Sequence, residues 1–427
     1  MFKTLVNAFA DKDIRRKIFL TFGLLLIYRI GCYVPIPGLN LAAVNSAIST
    51  TDFNLMNLMS AVSGGALANG TLFALGIIPF INSFIIMQLL TLIIPKLERM
   101  SKEGDEGREK LTQITRYIAI GLAIVQGIGI MVSWDNAVNP MFGSKIFTQI
   151  LIIVILTAGS TFVMWLGERI TEYGIGNGTS LIIFIGILST FGTSLIQAFG
   201  TLGKNINNIW RIIAFFAVLV LLFFLIVFID LSERKVPVKY AKQVRGNKMV
   251  GGQSTYIPMK VNSGGVMPII FASSFLMFPQ MIIGFWPQSS AYKFYNQYLG
   301  VNSWVYPIAL FFFIIFFAYF YAQIQFNPQD VARNIQQYGG TILGKRPGRE
   351  TSEYLAKINN RMTLFGALFL GFISLVPSLV FKAIGGDLGL TNAFSATGML
   401  IVVSVALEFD KQLQSQLMMR HYKGFLQ

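Results

Sequence analysis

Two short stretches of this 427-residue chain share one pattern, and that pattern decides how the fold is interpreted. They are "LGIIPFINS", residues 75–83, and "GGVMPIIFASS", residues 264–274. Both contain Gly-x-x-Pro-x-Ile, and the two prolines, Pro79 and Pro268, are 189 residues apart. Glycine and proline are common in membrane helices, so coincidence is the competing explanation. The pattern gains weight only from where the two stretches fall among the apolar segments of the chain.

The composition is that of a membrane protein. Hydrophobic residues make up 54% of the chain and charged residues only 12%, against about 25% charged residues in soluble domains. The single cysteine, Cys32, excludes an internal disulfide. The single histidine, His421, leaves no histidine-based catalytic pair or metal site among the apolar segments. Residues 1–17 carry mixed charge and are interpreted as a cytosolic lead-in rather than a signal peptide.

Ten apolar segments are long enough to cross a bilayer, which takes roughly 20 residues. An even number of spans puts both ends of the chain on one side. Of the 34 Lys and Arg residues, 28 fall on that side and five on the other. Basic residues collect in cytosolic loops, so both termini are predicted to be cytosolic. The predicted spans are 18–34, 71–94, 117–134, 146–166, 179–199, 209–229, 264–286, 304–325, 362–381 and 393–409.

The repeated pattern falls in the second and the seventh predicted span. If these two spans correspond, the chain consists of two five-span halves, 18–199 and 209–409, followed by a tail, 410–427. Five is an odd number, so the second half must enter the membrane inverted relative to the first. Inverted repeats place a pathway between the halves, and matching segments interrupted by Gly and Pro point to it.

The chemistry of the spans limits what such a pathway can carry. Arg29, near the outer end of the first span, is the one charged residue placed well inside a span, and we interpret it as interfacial. Ion-coupled transporters and membrane enzymes need ionisable groups at mid-membrane, which argues against both. Ile77 and Ile81 share a helical face, as do Ile183 and Ile187. Such residues usually only pack; the alternative is an apolar constriction that excludes water and is indifferent to its cargo.

Two predicted cytosolic connections, 230–263 and 326–361, are too long to be simple turns. The first alternates basic and apolar residues, which favours a hairpin. Both are candidate docking surfaces for an acidic partner, either protein or nucleic acid, with positive charge retained only for topology as the alternative. The stretch "GGTILGKR", residues 339–346, nearly matches a phosphate-binding loop, but Arg346 stands where a hydroxyl residue is required, so no nucleotide hydrolysis is expected.

Six long, ordered motifs are spread over essentially the whole chain: "TLFALGIIPFINSFIIMQLL" (71–90), "MWLGERITEYGIGNGTSLII" (164–183), "PVKYAKQ" (237–243), "KVNSGGVMPIIFASS" (260–274), "FNPQDVARNI" (326–335) and "GKRPGRET" (344–351). Together they resemble the SecY family of protein-conducting channels. One departure is Phe84, where that family usually has a small polar residue. The resemblance implies an all-α membrane protein without a cofactor: ten transmembrane helices, arranged as two inverted halves around an hourglass pore that a plug helix closes.

The resemblance also implies four groups of functional residues. The pore ring consists of Ile77, Ile81, Ile183, Ile187, Ile270 and Ile401. The plug covers residues 53–70, an uncharged stretch, with Ser63, Gly64, Gly65, Ala66 and Leu67 as its site residues. The lateral gate lies between the second and seventh spans, with Asn82, Ser83, Gln88, Ser273 and Ser274 as its polar seam. The partner-docking residues are Lys235, Lys239, Lys242, Arg245, Lys345, Arg346 and Arg349.

The function implied is passive conduction of unfolded secretory polypeptides across the bacterial cytoplasmic membrane, with lateral release of hydrophobic segments into lipid. The implied partners are SecE and SecG in the membrane, the SecA ATPase motor or the ribosome on the basic loops, signal peptides and preproteins, and membrane lipids. A secondary transporter of a small solute, also built from inverted repeats, is the alternative.

Overall fold

The structure is a computed structural model, and it describes most of the chain. All statements about structure below refer to the described residues. Within some helices and strands only the backbone is described. The described ranges are 8–41, 43–44, 59–60, 62–140, 143–202, 209–240, 242–245, 248–251, 254–262, 264–283, 289–299, 303, 305–384 and 396–424.

Thirteen helices can be numbered along the described ranges, and ten of them overlap the ten predicted spans one for one. Three additional short helices, α3, α9 and α11, lie between spans. The helices are α1 Lys12–Gly31, α2 Ile78–Ile93, α3 Pro95–Lys102, α4 Asp105–Ser133, α5 Lys145–Tyr173, α6 Gly178–Leu202, α7 Ile209–Leu231, α8 Met267–Ile283, α9 Ser290–Leu299, α10 Val305–Gln325, α11 Pro328–Gln337, α12 Arg349–Ile384 and α13 Ala396–Gly424.

Length and composition alone identify fewer membrane-crossing helices than ten. Among the described residues, four helical stretches are long and apolar enough: Asp105–Ser133, Lys145–Tyr173, Val305–Gln337 and Arg349–Val376. A fifth is counted if α2 and α3, bent by 103° at their junction, form one broken span. Three shorter apolar helices fall below the length required.

The chain divides into two compact units. The first consists of Met1–Ile212, Ser274–Tyr306 and Phe381–Gln427, and the second of Ile213–Ser273 and Pro307–Val380. The first unit contains α1 to α6 and is where the candidate pore and plug residues concentrate. The second contains α7, α10, most of α12 and all of the strands.

Helix α1 shows how apolar residues are used on both faces of a helix. Asp11 caps its first turn by accepting the Asp13 N–H at 2.9 Å. Phe19 and Leu26 lie on its outward face and are 63% and 60% exposed. A helix whose exposed face is as apolar as its buried face is expected in lipid rather than in water. The buried face carries Ile14, Ile18, Thr21, Leu25 and Tyr28.

The two copies of Gly-x-x-Pro-x-Ile adopt the same local structure. Gly76 and Gly265 both have positive φ, +55° and +58°, which glycine adopts without strain. In each copy a helix begins two residues later, at Ile78 or Met267, with the proline second in the helix. Proline is favoured there because its missing N–H has no partner in a first turn. The sequence repeat is therefore also a structural repeat.

Helix α2 is shorter than the span predicted over residues 71–94. Residues 72–77 form turns and the helix begins only at Ile78, so the first quarter of the predicted span was wrong as a helix. The cause is the repeat itself, since the left-handed Gly76 and the proline at position two start the helix rather than extend it.

The two long basic connections fold together into one small sheet. Strand β1, Glu233–Tyr240, pairs antiparallel with β4, Ser254–Lys260, as the hairpin prediction required. Between them β2, Lys242–Arg245, pairs with β3, Lys248–Gly251. The second connection contributes β5, Gly340–Ile342, which pairs with the other edge of β1. The strand order is therefore β4-β1-β5, and the β1–β5 pair joins segments about 100 residues apart. The Thr341 hydroxyl, for example, donates a hydrogen bond to the Lys239 carbonyl.

A small apolar core holds this sheet against two helices. Val236 and Val238 alternate with exposed residues along β1 and are buried, as expected for a strand with one covered face. They pack with Ile335 of α11 and with Leu355 and Ile358 of α12. Two parts of the predicted loop 326–361 are helical, α11 and the first turns of α12. Helix α12 then continues without a break into the ninth predicted span. The tail 410–427 follows the tenth predicted span, and α13 continues through it to Gly424.

Candidate functional site

The glycine-rich segment, residues 59–70, forms a compact series of turns in the first unit. The residues 53–58 and Ala61 of the predicted plug lie outside the described residues. Of the remainder, Met59, Ser60 and Val62 are helical and residues 63–70 are turns, so the predicted plug helix is wrong over its small residues. Gly64 and Gly65 have φ of +70° and +85°, which a helix does not contain. Two consecutive left-handed residues end the helix.

Several residues of this segment are buried, while Gly64, Gly65 and Ala68 are half-buried. Ala66 and Leu67 are 0% exposed, and Ser63 is buried beside them. Leu67 belongs to an apolar cluster with Ile130 and Trp134. Burying one leucine side chain is worth about 1.5–3 kcal/mol. The segment is therefore held by ordinary packing as well as by its own turns.

Side chains of α1 bind the backbone carbonyls of the segment. The Tyr28 hydroxyl donates to the Ser63 carbonyl at 3.3 Å, and the Cys32 thiol lies 3.8 Å from the same oxygen. The Arg29 guanidinium donates to the Gly64 carbonyl at 3.4 Å. The interpretation of Arg29 as an interfacial side chain missed this contact.

A second bond ties Arg29 to α6. Its Nη2 donates to the Ser189 hydroxyl at 2.6 Å and to the Tyr33 hydroxyl at 3.2 Å, and the guanidinium lies 5.3 Å from the Tyr33 ring centroid. One cation therefore bridges α1, α6 and the glycine-rich segment. A planar guanidinium with several donors suits this role, whereas an ammonium would act from a single point.

The segment lies directly on α6. A Cβ built on Gly64 would lie 3.1 Å from the Gly186 Cα, and one built on Gly186 would overlap the Val62 carbonyl oxygen. Gly186 lies three residues after Ile183 and one before Ile187, on the helical face that both isoleucines share. The backbone at residues 62–64 therefore contacts the face of α6 that carries two of the predicted ring residues.

All six predicted ring isoleucines are described, and all but the half-buried Ile81 are buried. Ile77 is the residue before α2 rather than part of it, but its carbonyl accepts the Ile81 N–H at 3.1 Å, which preserves the four-residue spacing. Its Cδ1 lies in van der Waals range of Gly167. Ile270 occupies in α8 the position that Ile81 occupies in α2, and it belongs to the second unit.

The predicted gate residues make mostly local contacts. The Ser83 hydroxyl donates to the Phe80 carbonyl at 2.8 Å, and the Ser273 hydroxyl to the Ile270 carbonyl at 3.0 Å. These bonds lie within α2 and α8 and do not join the two helices. Asn82 is buried, and the Gln88 Oε1 is buried without a hydrogen-bond partner in the described part of the chain. Ser274 is half-buried.

The predicted docking cations differ in how far they are neutralised. Lys235 lies 3.6 Å from Glu233 and 4.7 Å from the Tyr256 ring centroid, and Arg349 pairs with Glu353 at 2.9 Å. Lys239 is exposed on β1; of Lys242 and Arg245 only the backbone, in β2, is described. Lys345 lies 5.8 Å from the Tyr354 ring centroid.

Arg346 is the exposed cation of the turn between β5 and α12. Its backbone is fixed at both ends, since its N–H donates to Glu350 at 3.2 Å and its carbonyl accepts the Thr351 hydroxyl at 2.8 Å. No ion pair engages its guanidinium among the described residues. The turn thus presents an unneutralised positive charge on a fixed backbone.

Another basic segment, residues 95–116, covers α3 and the start of α4 and differs in this respect. Lys102 beside Glu98 and Lys110 beside Glu106, at 2.6 and 2.8 Å, hold the pKa of both carboxyls below the usual range. Both pairs are exposed helical neighbours, and such pairs contribute little to stability. They do neutralise the cations, which leaves less free charge on this segment for a partner.

Comparison with known proteins agrees with this architecture. A protein translocase subunit SecY of Streptomyces scabiei is 42% identical over 441 residues, covering 100% of both chains. A solved SecY protein, described as having a plug domain that stabilises the closed state of the translocation channel and maintains a membrane seal, matches with a TM-score of 0.66 at 21% identity, over 93% of this chain and 91% of that one. Sec61 in a canine ribosome-channel complex from the endoplasmic reticulum matches with a TM-score of 0.63 at 19% identity, over the same shares.

The solved structures show the fold, and together with the translocase relative they define a helical protein-conducting membrane channel. The SecY family model matches residues 71–409. This chain belongs to the SecY family.

Proposed function

We propose that this chain conducts unfolded polypeptides across a membrane and releases hydrophobic segments sideways into the lipid. Family membership supports this function, and the apolar character of the candidate path suits it. A ring of isoleucine side chains offers no fixed hydrogen bonds, so it tolerates any sequence that passes. The family is one of channels rather than enzymes, and the driving force for transport comes from a partner.

The observation that carries the proposal is the position of the glycine-rich segment. Its backbone at Gly64 lies against Gly186, on the α6 face that carries Ile183 and Ile187. A segment in that position is a plug for the narrowest part of the path. It has no charged side chain, so it loses little solvation on entering an apolar vestibule and on leaving it.

Opening follows from the contacts of the plug. A signal sequence that inserts between the second and seventh spans favours the arrangement in which the plug has left. The bonds from Arg29 and Tyr28 to the plug carbonyls are then broken, and the Ile ring closes around the passing chain. In this proposal ten spans form two inverted halves with both termini in the cytosol, and the channel lies in a bacterial cytoplasmic membrane.

The proposed partners follow from the charge of the cytosolic surface. The ribosome is one, since a structural relative is part of a ribosome-channel complex. The SecA motor is the other candidate for the exposed Arg346, and SecE and SecG are the proposed membrane subunits. A secondary transporter of a small solute is not favoured, because the matched family is one of protein channels.

The test is crosslinking of a stalled secretory precursor to single cysteines in the ring. Cys32→Ser removes the native thiol, and Ile81→Cys or Ile187→Cys introduces one at the candidate constriction. Leu188→Cys is the matched control, because it is the next residue of α6 and is exposed on the outer side of the helix. Crosslinks at both ring positions and none at Leu188 support the proposal. Crosslinks only at Leu188, or equal yields at all three positions, refute it.

A further inference from the structure

A cavity of about 440 Å³ lies in the second unit, where two predicted spans meet the basic sheet. Arg234, in its wall, is the third residue after Leu231, the last residue of α7. Arg361, also in its wall, directly precedes Met362, the first residue of the predicted ninth span. The cavity therefore lies at the boundary between the spans and the sheet. It belongs neither to the candidate pore nor to the plug.

The charges that line this cavity are unbalanced. Four cations face two carboxylates. Of the carboxylates, Glu353 is engaged by Arg349, which is not part of the lining, and Glu350 accepts the Arg346 N–H. Within the described part of the chain, no carboxylate forms an ion pair with any of the four cations, although Lys345 lies 5.8 Å from the Tyr354 ring centroid. The cavity thus carries a net positive charge that the protein itself does not neutralise.

The two signs of charge are separated along α12. Glu350 and Glu353 lie in its first two turns, while Lys357 and Arg361 follow one and two turns later, toward the membrane end. At 1.5 Å rise per residue, Glu350 lies about 16 Å along the axis from Arg361. An anion that approaches along the membrane surface therefore meets cations first. The other end of the cavity holds both carboxylates beside Lys345, so its net charge is less positive than that of the membrane end.

We propose that this cavity binds the phosphate of an anionic phospholipid headgroup. Lys357 and Arg361 are the principal contacts and Arg234 closes the opposite wall. Basic cavities beside transmembrane helices on the cytosolic side commonly hold such headgroups. The half-buried Tyr354 and the buried Ile358 line the same cavity and suit the glycerol and the first acyl carbons. The assignment rests on the proposed orientation only in placing this site in the cytosolic leaflet.

The test measures lipid retention by the complete protein in detergent, together with any subunits that co-purify. Phosphatidylglycerol is titrated against a phosphatidylcholine background, and bound lipid is counted by native mass spectrometry, with Tm as a second readout. Each cation near a membrane surface contributes about 1 kcal/mol, or roughly a fivefold change in affinity. Lys357→Gln and Arg361→Gln are therefore each expected to weaken retention about fivefold, and the double variant about 25-fold.

Control variants and competing ligands decide whether the cavity binds a lipid headgroup. Arg333→Gln, an exposed cation on α11 outside the cavity, must leave retention unchanged, and Arg361→Lys must preserve most of it. An equal loss with Arg333→Gln, or full retention by the double variant at an unchanged lipid-free Tm, overturns the proposal. Competition by inorganic phosphate or soluble glycerophosphoglycerol at lipid-like concentrations would indicate a free-anion site instead. Tighter binding of a polyglutamate peptide than of lipid would indicate a protein partner. None of these readouts depends on polypeptide transport, so the site and the channel function fail independently.

Discussion

Removing the guanidinium of Arg29 is the sharpest perturbation of the closed state. Arg29→Met keeps an unbranched side chain on α1 but deletes the bond to the Gly64 carbonyl and the bridge to Ser189. The bond to Gly64, at 3.4 Å, is long for a charged donor, which places it at the low end of the roughly 1.5–3 kcal/mol that such bonds contribute. The bond to Ser189 is short, at 2.6 Å, but it joins two helices and need not break when the plug leaves.

The loss of about 1.5 kcal/mol raises the population with the plug displaced about tenfold. Leu67 remains fully buried in the seated state, so the variant is expected to stay mostly closed. The measurement is resting ion leak through proteoliposomes or planar bilayers without precursor. Arg29→Met should leak about tenfold more than the unchanged protein. Arg29→Lys should leak by an intermediate amount, because an ammonium cannot hold both acceptors equally well.

Arg15→Met is the matched control, since it removes the same charge from the exposed N-terminal end of the same helix. A leak that rises equally in both variants would show that the charge of α1, and not the bond to Gly64, matters. No change in the Arg29→Met leak, with insertion and Tm preserved, would refute the assignment of Arg29 to the closed state. Tyr28→Phe tests the neighbouring bond, and its effect need not add to that of Arg29 because the two bonds share one segment.

Three further predictions use paired variants. Gly186→Ala should displace the plug and raise the resting ion leak, because its Cβ would overlap the Val62 carbonyl oxygen. Gly192→Ala on the same helix should leave the leak unchanged, because a Cβ there meets open space. Equal leaks in the two variants would refute the contact between Gly186 and the plug. Ile187→Asn should raise resting conductance while Ile187→Leu, of similar size, should not; matching conductances would remove Ile187 from the ring. Arg346→Glu should reduce motor-driven transport of a precursor several-fold, while the channel still inserts into the membrane and stays closed. Arg333→Glu should not reduce transport. Equal transport by the two variants would mean that Arg346 serves only to set the membrane topology.

The repeat and the helices were the parts of the fold that the sequence could predict. Gly-x-x-Pro-x-Ile determines the backbone locally, because glycine permits a positive φ and proline favours the first turn of a helix. It therefore gives the same backbone at Gly76 and Gly265 in two different surroundings. The hairpin of β1 and β4 was predictable for a related reason, since alternating side chains and a short separation leave few other pairings.

The contacts that were missed join residues far apart in the chain. Arg29 is 35 residues from Gly64 and 160 from Ser189. No local sequence pattern specifies contacts between residues so far apart. The role of Arg29 was therefore interpreted only from its position in the first predicted span. The pairing of β5 with β1 was missed for the same reason. Gly186 and Gly192 lie on one helix, yet only at Gly186 would an added Cβ meet another segment of the described structure.

The way the plug is held explains why its sequence carries so little signal. Every donor that reaches it from α1 binds a backbone carbonyl, of Ser63 or of Gly64, and the contact with α6 is backbone against backbone at Gly186. Gly64 is itself constrained, because its φ is +70° and an added Cβ would meet the Arg29 guanidinium and Gly186. The other constraints lie on the residues around the plug, on the donor at Arg29 and on the missing side chain at Gly186. Substitutions at these three positions should therefore open the channel more readily than exchanges among the other small residues of the plug.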